Sequence, residues 1–193
     1  LWRDQLYGSF VRPAVVMTGR VNQRMFEKLI NALNDEDSHV RSCAAFTLGE
    51  IGSDRAIDAL INALNDEDGD VRRWTADALG KIGSGRIVDA LINALNDEDQ
   101  RVRRNAAEWL GKIGSDKAED ALINALNDDD SFVRDYSAIA LGKIGSDRAF
   151  DALINALNDE DSHVRSCAAD SLGKIGSDRA VDALINALND EDS

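Results

Sequence analysis

Both histidines and both cysteines of this 193-residue chain sit in one phrase, NDEDSHVRSCAA, which occurs at residues 34–45 and again at 158–169. His39 and Cys43, like His163 and Cys167, stand four residues apart, a spacing that puts two metal-capable side chains on one face of a helix. Two ligands do not close a zinc site, so the pairs read as duplicated surface residues and no metal is expected. The acidic NDED turns, above all NDEDGD at 65–70, invite calcium. A helix-loop-helix calcium loop, however, needs glycine at its sixth position and glutamate at its twelfth, and no alignment supplies both. These carboxylates are expected to cap the helices that follow them. There is no nucleophile elbow, phosphate-binding glycine loop or zinc-protease helix, so no catalytic residue and no cofactor is assigned.

The 124 residues between the two phrases are four times 31, and 31 is the period of nearly the whole chain. LINALN begins at Leu29, Leu60, Leu91, Leu122, Leu153 and Leu184, and Val-Arg recurs at Val40, Val71, Val102, Val133 and Val164. Each unit holds two helical patterns. Ile57, Leu60, Ile61 and Leu64 recur as one face of a helix of about Asp54 to Leu64, with Ser53 or Asp54 as its cap. Val40, Ala44, Leu48 and Ile51 form the apolar stripe of a second helix, capped by Asp37 or Ser38 and stopped by Gly52. Neither stripe can be buried alone, so each must be covered by its partner helix and by the next unit. The expected fold is all-α, a solenoid of 31-residue antiparallel helix pairs. Residues 22–193 are read as the array, with five near-complete repeats and a terminal first helix. Residues 1–21, with Trp2, Tyr7, Phe10 and Pro13, are read as a degenerate N-terminal cap or extension. Helices stacked about 8 to 10 Å apart put Cys43 and Cys167 too far apart for a disulfide, which needs Cα atoms within about 7 Å. Free thiols favour a reducing, cytoplasmic setting.

The blocks Leu-Ile-x-Ala-Leu, Asp-Glu-Asp, Val-Arg-x-x-Ala-Ala and Leu-Gly-x-Ile-Gly resemble the short HEAT-like repeats of the phycobilisome-lyase type, and are similar to artificial helical-repeat scaffolds built on that consensus. The resemblance covers about residues 22–193. It implies that the second helix of each repeat lines a concave surface. It also implies a ladder between units that joins a turn aspartate (Asp37, Asp68, Asp99, Asp130, Asp161) to a helix arginine (Arg41, Arg72, Arg103, Arg134, Arg165). The framework departs from the artificial consensus, and the recurrence of Ser-His and Ser-Cys favours a natural gene with recently copied repeats.

Differences between repeats fall on one stripe of the second helix, opposite the buried one. In register its columns read His39, Asp70, Arg101, Phe132, His163; Cys43, Trp74, Asn105, Tyr136, Cys167; and Phe46, Asp77, Glu108, Ile139, Asp170. A packing surface reuses its residues; a face that changes at each step and carries aromatics suits an irregular partner. The expected partner-binding residues are Arg73, Trp74, Arg101, Arg104, Trp109, Phe132, Tyr136 and Ile139. Trp109 stands in a column otherwise filled by Thr47, Ala78, Ala140 and Ser171, and is expected to lean out toward Trp74 or Tyr136. Glu119 interrupts the apolar column Ile57, Val88, Phe150, Val181 and is expected to reach solvent or a basic neighbour. The expected function is a non-enzymatic protein-binding scaffold. Its alternatives are an assembly element that self-associates through an uncapped C-terminal repeat, and a chromophore factor related to the phycobilisome lyases. A net charge of −14 argues against nucleic acid, and no run of 18 apolar residues offers a membrane span.

Overall fold

The computed structural model describes residues 23–176 together with Val181 and Ile185. The expected cap at 1–21, and most of the sixth first helix with Leu184 and Leu188, lie outside the described residues. Val181 and Ile185 are helical and exposed.

Ten helices are described, in alternating roles. The odd ones are α1 (Gln23–Ala32), α3 (Ile57–Ala63), α5 (Val88–Ala94), α7 (Glu119–Ala125) and α9 (Asp147–Ala156). The even ones are α2 (Ser38–Ile51), α4 (Gly69–Ile82), α6 (Gln100–Ile113), α8 (Ser131–Ile144) and α10 (Ser162–Ile175). No strand occurs among the described residues. The chain divides into two compact units, residues 1–82 and 83–193. In the first, α2 packs on α4; in the second, α6 packs on α8 and α8 on α10, while each odd helix lies against the even helix that follows it. The fold is thus all-α and of the solenoid class, with one helix pair per 31-residue repeat.

Local chemistry sets the helix ends where the sequence puts them. Asp37, Asp99, Asp130 and Asp161 cap α2, α6, α8 and α10, their carboxylates accepting from backbone N–H groups of the first turn. Asp68 does the same for α4, accepting from Asp70 N at 2.9 Å and Val71 N at 3.1 Å. These bonds satisfy donors that a helix start leaves orphaned, and the N–H of Val71 and of His163 hold the Asp68 and Asp161 carboxyls below the ordinary range. Gly52, Gly114, Gly145 and Gly176 end four of the even helices in the left-handed conformation that favours glycine. Three odd helices are entered through a 3₁₀ turn, at Asp54–Ala56, Gly85–Ile87 and Asp116–Ala118. The last odd helix, α9, is α-helical from Asp147, and its Ser146 Oγ accepts from Ala149 N at 3.0 Å.

The core is built on the valine and leucine positions of the constant stripe, except that Val40 at the start of α2 is exposed; the closing isoleucines are half-buried. Val71, Val102, Val133 and Val164 are buried, as are Leu48, Leu79, Leu110, Leu141 and Leu172. Even helices approach so closely that the glycine of Leu-Gly-x-Ile touches the next repeat. A Cβ built on Gly49 would lie 2.6 Å from Ala78 Cα, and one on Gly111 2.6 Å from Ala140 Cβ.

The ladder between repeats exists, but it uses a different aspartate from the expected one. Arg41 Nε donates to Asp66 Oδ2 at 2.7 Å and Nη2 to Asp66 Oδ1 at 2.8 Å. Arg103 meets Asp128 and Arg134 meets Asp159 in the same bidentate way, at 2.8 to 2.9 Å. The partner is therefore the first acid of NDED in the next repeat; the second aspartate, which the resemblance pointed to, is committed to capping. The remaining guanidinium nitrogen turns back into its own repeat, where Arg41 Nη1 donates to the carbonyls of Asp35 and Glu36 at 3.0 and 3.1 Å. Asp66 in turn accepts from Asp68 N at 2.9 Å, so one network fixes the turn, the cap and the neighbouring repeat.

Two outcomes follow. Gly111→Ala should lower stability by about 1 to 3 kcal/mol through overpacking. Gly173→Ala, where an added Cβ would meet nothing within 4 Å, should be neutral or stabilising by about 0.5 to 1 kcal/mol; denaturant unfolding of both variants checks the pair. Burial pushes the Asp128 carboxyl up, but the Arg103 hydrogen bond and the Asp130 N–H more than reverse this and leave it below its ordinary value. Because the folded carboxyl titrates lower than the unfolded one, its contribution is complete above about pH 4 and is lost as pH falls through the folded value. Asp128→Asn should cost about 2 to 4 kcal/mol at neutral pH and flatten the fall in stability below pH 4, as read from unfolding midpoints across an acid series.

Candidate functional site

The outward stripe of each even helix lies opposite its buried valine and leucine positions. In the first unit it carries an aromatic pair: Phe46 on α2 and Trp74 on α4 meet edge to face, with ring centroids 5.2 Å apart. Each ring is covered by a cation. Arg73 lies 4.2 Å from the Trp74 ring centre, and Lys81 Nζ lies 4.9 Å from that of Phe46. Lys81 is also held by Glu50 at 2.8 Å and Asp77 at 3.0 Å. The patch is thus aromatic at its centre and locally charge-balanced at its rim.

The second unit presents a different surface. Phe132, Tyr136 and Ile139 succeed one another along α8, and Phe132 is 55% exposed. From α6, the Arg104 guanidinium lies 6.0 Å from the Phe132 ring centre. Trp109 is half-buried, with Lys112 Nζ 3.8 Å from its ring centre; Lys112 also pairs with Glu108 at 2.7 Å. Arg101 folds onto the cap of its own helix and bonds Asp99 Oδ2 at 2.6 Å.

Of the eight expected site residues, Arg73 and Trp74 belong to the first unit and the other six to the second. The structure joins Arg73 to Trp74 and Arg104 to Phe132, aligns Tyr136 and Ile139 with Phe132, and turns Arg101 aside toward Asp99. Phe46 and Lys81 belong to the first patch but were not among those eight. The signal for both was register: Lys81 stands 35 residues after Phe46, one repeat plus one helical turn.

The histidine–cysteine pairs form contacts of another kind. Cys43 Sγ lies 3.8 Å from His39 Nε2. Burial, with Asp135 and Asp170 nearby, raises the Cys167 pKa and so disfavours the reactive thiolate. Both cysteines are free. No group of three or more His, Cys, Asp or Glu side chains among the described residues is arranged to hold a metal. No described helix is long and apolar enough to cross a membrane. Glu119 meets the basic neighbour expected of it: its Oε1 accepts from the Ser146 hydroxyl, and Arg148 Nη1 lies 3.7 Å from Oε2. That bond orients the serine that caps α9.

A family model described as HEAT repeats matches residues 14–79, 57–139, 88–157 and 119–193. No curated protein matches the chain. Among solved structures, it is similar to the complex of CpcE and CpcF of phycocyanin lyase from Nostoc sp. PCC7120, at 28% identity over 89% of this chain and 72% of that one, with a TM-score of 0.71. Two engineered proteins are similar at 30% identity over 89% of each chain, TM-score 0.62, and at 29% identity over 86% of this chain and 85% of that one, TM-score 0.64.

The Phe46 and Trp74 rings should be coupled. A double-mutant cycle with Phe46→Leu and Trp74→Leu, read by denaturant unfolding, should give an interaction of about 0.5 to 1.5 kcal/mol. Additive losses would mean that the two rings do not support each other.

Proposed function

The chain belongs to the HEAT-repeat family, and from that premise we propose that it is a non-enzymatic scaffold that binds a protein partner through the outward stripes of its even helices. The observation that carries this reading is the contrast between the two faces of α8. On the face toward the core, Val133, Ala138 and Leu141 are the same residues as at the matching positions of every other even helix. The outward face carries Phe132, Tyr136 and Ile139, with Phe132 more than half exposed. Exposed aromatics flanked by arginine are the usual anchors of protein interfaces, and they raise the free energy of an unbound surface that has no structural need of them. In this reading Arg104, Phe132, Tyr136 and Ile139 form the main anchor, and Trp109, whose ring meets Lys112, is a further candidate on α6. Arg73 and Trp74, with Phe46, form a second patch in the first unit. Arg101, turned toward Asp99, contributes less. Nucleic acid is not the partner: the chain carries a net charge of −14, and its guanidiniums at the ladder are already committed to aspartates.

The likeness to the phycocyanin lyase complex supports a second reading, a chromophore-handling factor. That role would show itself as a bilin that copurifies with or transfers through the chain, visible by absorbance.

Affinity capture from an extract of the source organism, with the intact chain and with a Phe132→Ala, Tyr136→Ala variant, tests the first reading. At least one protein should be retained by the intact chain and lost, by about tenfold or more, from the variant. Equal recovery on both would remove α8 from the interface. Light scattering of the purified chain across a concentration series distinguishes a heterologous partner from a second copy of the same chain.

A further inference from the structure

We infer that the segment that docks on α8 is an extended peptide with apolar side chains at its centre and a carboxylate toward each end, an inference that rests on the binding role proposed for this face. The argument begins with the stripe itself. Among the described even helices, α8 alone carries three successive apolar or aromatic residues along its outward line, Phe132, Tyr136 and Ile139, and the next position on that line is Lys143. A cation therefore stands at each end of an apolar strip: Arg104, stacked toward Phe132 at 6.0 Å, and Lys143.

These two cations differ from the others on the outward faces. Lys81 is paired with Glu50 and Asp77, Lys112 with Glu108, and Lys174 with Asp170 at 2.5 Å. Arg73 lies 3.5 Å from Asp70, and Arg101 bonds Asp99. Arg104 and Lys143 make no ion pair among the described residues. The acids on the flanking stripes, Glu108 and Asp170, are taken by their own lysines one turn on. One carboxylate on α8 itself stands against the reading, Asp135. Burial, with Asp161 and Asp159 nearby, favours its neutral form, and the opposing pull of His163 and Arg134 does not reverse this.

A guanidinium stacked near an aromatic ring, with its edge nitrogens unclaimed, is suited to a carboxylate that arrives beside an apolar side chain. Lys143 offers a second, less directional point charge. The eleven steps from Phe132 to Lys143 span about 16 Å of helix at about 1.5 Å per residue. An extended peptide advances about 3.3 Å per residue, so the two carboxylates should stand about five residues apart.

Selection of a phage-displayed random dodecapeptide library on the intact chain tests this. A protein with a net charge of −14 and acidic turns should by default enrich basic peptides and deplete acidic ones. Enrichment of acids at two positions about five apart, at least threefold over the naive library and with apolar residues between them, is the expected result. The Arg104→Gln, Lys143→Gln variant, shown by circular dichroism to be folded, should lose the acid enrichment and keep the apolar one. A selected peptide with both acids changed to glutamine should bind the intact chain about tenfold more weakly, as measured by fluorescence anisotropy. Apolar peptides without acid enrichment, or basic peptides bound through α8, would overturn the inference and leave the binding role standing. Peptides whose capture is unaffected by Phe132→Ala would overturn both.

Discussion

An arginine side chain removed from water has to be met by acceptors on every side, and this requirement organises the repeats. Arg41 and Arg134 keep only 7% and 6% of their surface exposed. Leaving such a group without its carboxylate costs several kcal/mol, so the carboxylate has to arrive whenever the repeat folds. It comes from the next repeat, 25 residues on, in a bidentate arrangement that leaves little freedom in distance or angle. The same guanidinium holds the carbonyls of its own turn, and the receiving aspartate holds the N–H of the next cap. Within each unit the ladder thereby transmits one repeat's position to the following one. The glycine of Leu-Gly-x-Ile completes the constraint from the other end of the even helix, because only a residue without Cβ permits the approach seen at Gly49 and Gly111.

Because the ladder, the caps and the valine–leucine stripe fix the geometry, the outward stripe of the even helices is left free to vary. The result is a division of labour along a single helix. On α8, Val133, Ala138 and Leu141 are fully buried, while Phe132, one residue from Val133, is more than half exposed. An aromatic as exposed as Phe132 is not required by the fold, and the charges that flank the outward aromatics differ from repeat to repeat. The first unit closes its aromatic pair with Arg73, Lys81, Glu50 and Asp77, and so presents a surface that is already charge-balanced. The second leaves Arg104 and Lys143 at the ends of an apolar strip. A partner that distinguishes the two patches would do so by charge more than by shape.

The period of 31 made most of the fold legible in the sequence. Helix starts follow from aspartates and serines, helix ends from glycines, and the core from the two repeated stripes. The ladder was legible in kind but not in register, because NDED offers two aspartates to one arginine. The capping geometry resolves the choice: an aspartate whose oxygen accepts from the first turn of its own helix is not positioned to meet the arginine of the preceding repeat. The site was legible as a set of columns but not as a set of contacts. Arg101 and Arg104 lie three residues apart in the same helix, and nothing in the letters says that the first folds onto Asp99 while the second stacks toward Phe132. Glu119 was visible as an anomaly in an apolar column. Its resolution through Ser146, one repeat away, depended on a hydroxyl that also caps α9.

The central claim is that frame and face are separable. The most direct measurement is the guanidinium-chloride unfolding free energy of a chain in which the α8 strip is made polar at once, Phe132→Gln, Tyr136→Gln and Ile139→Gln, set beside that of Leu141→Ala. Leu141 is fully buried, and its truncation should cost about 2 to 5 kcal/mol. The triple variant should lose less than that single core change and unfold with the same cooperativity. A triple variant that loses more than Leu141→Ala would show that the strip belongs to the core and would contradict the account.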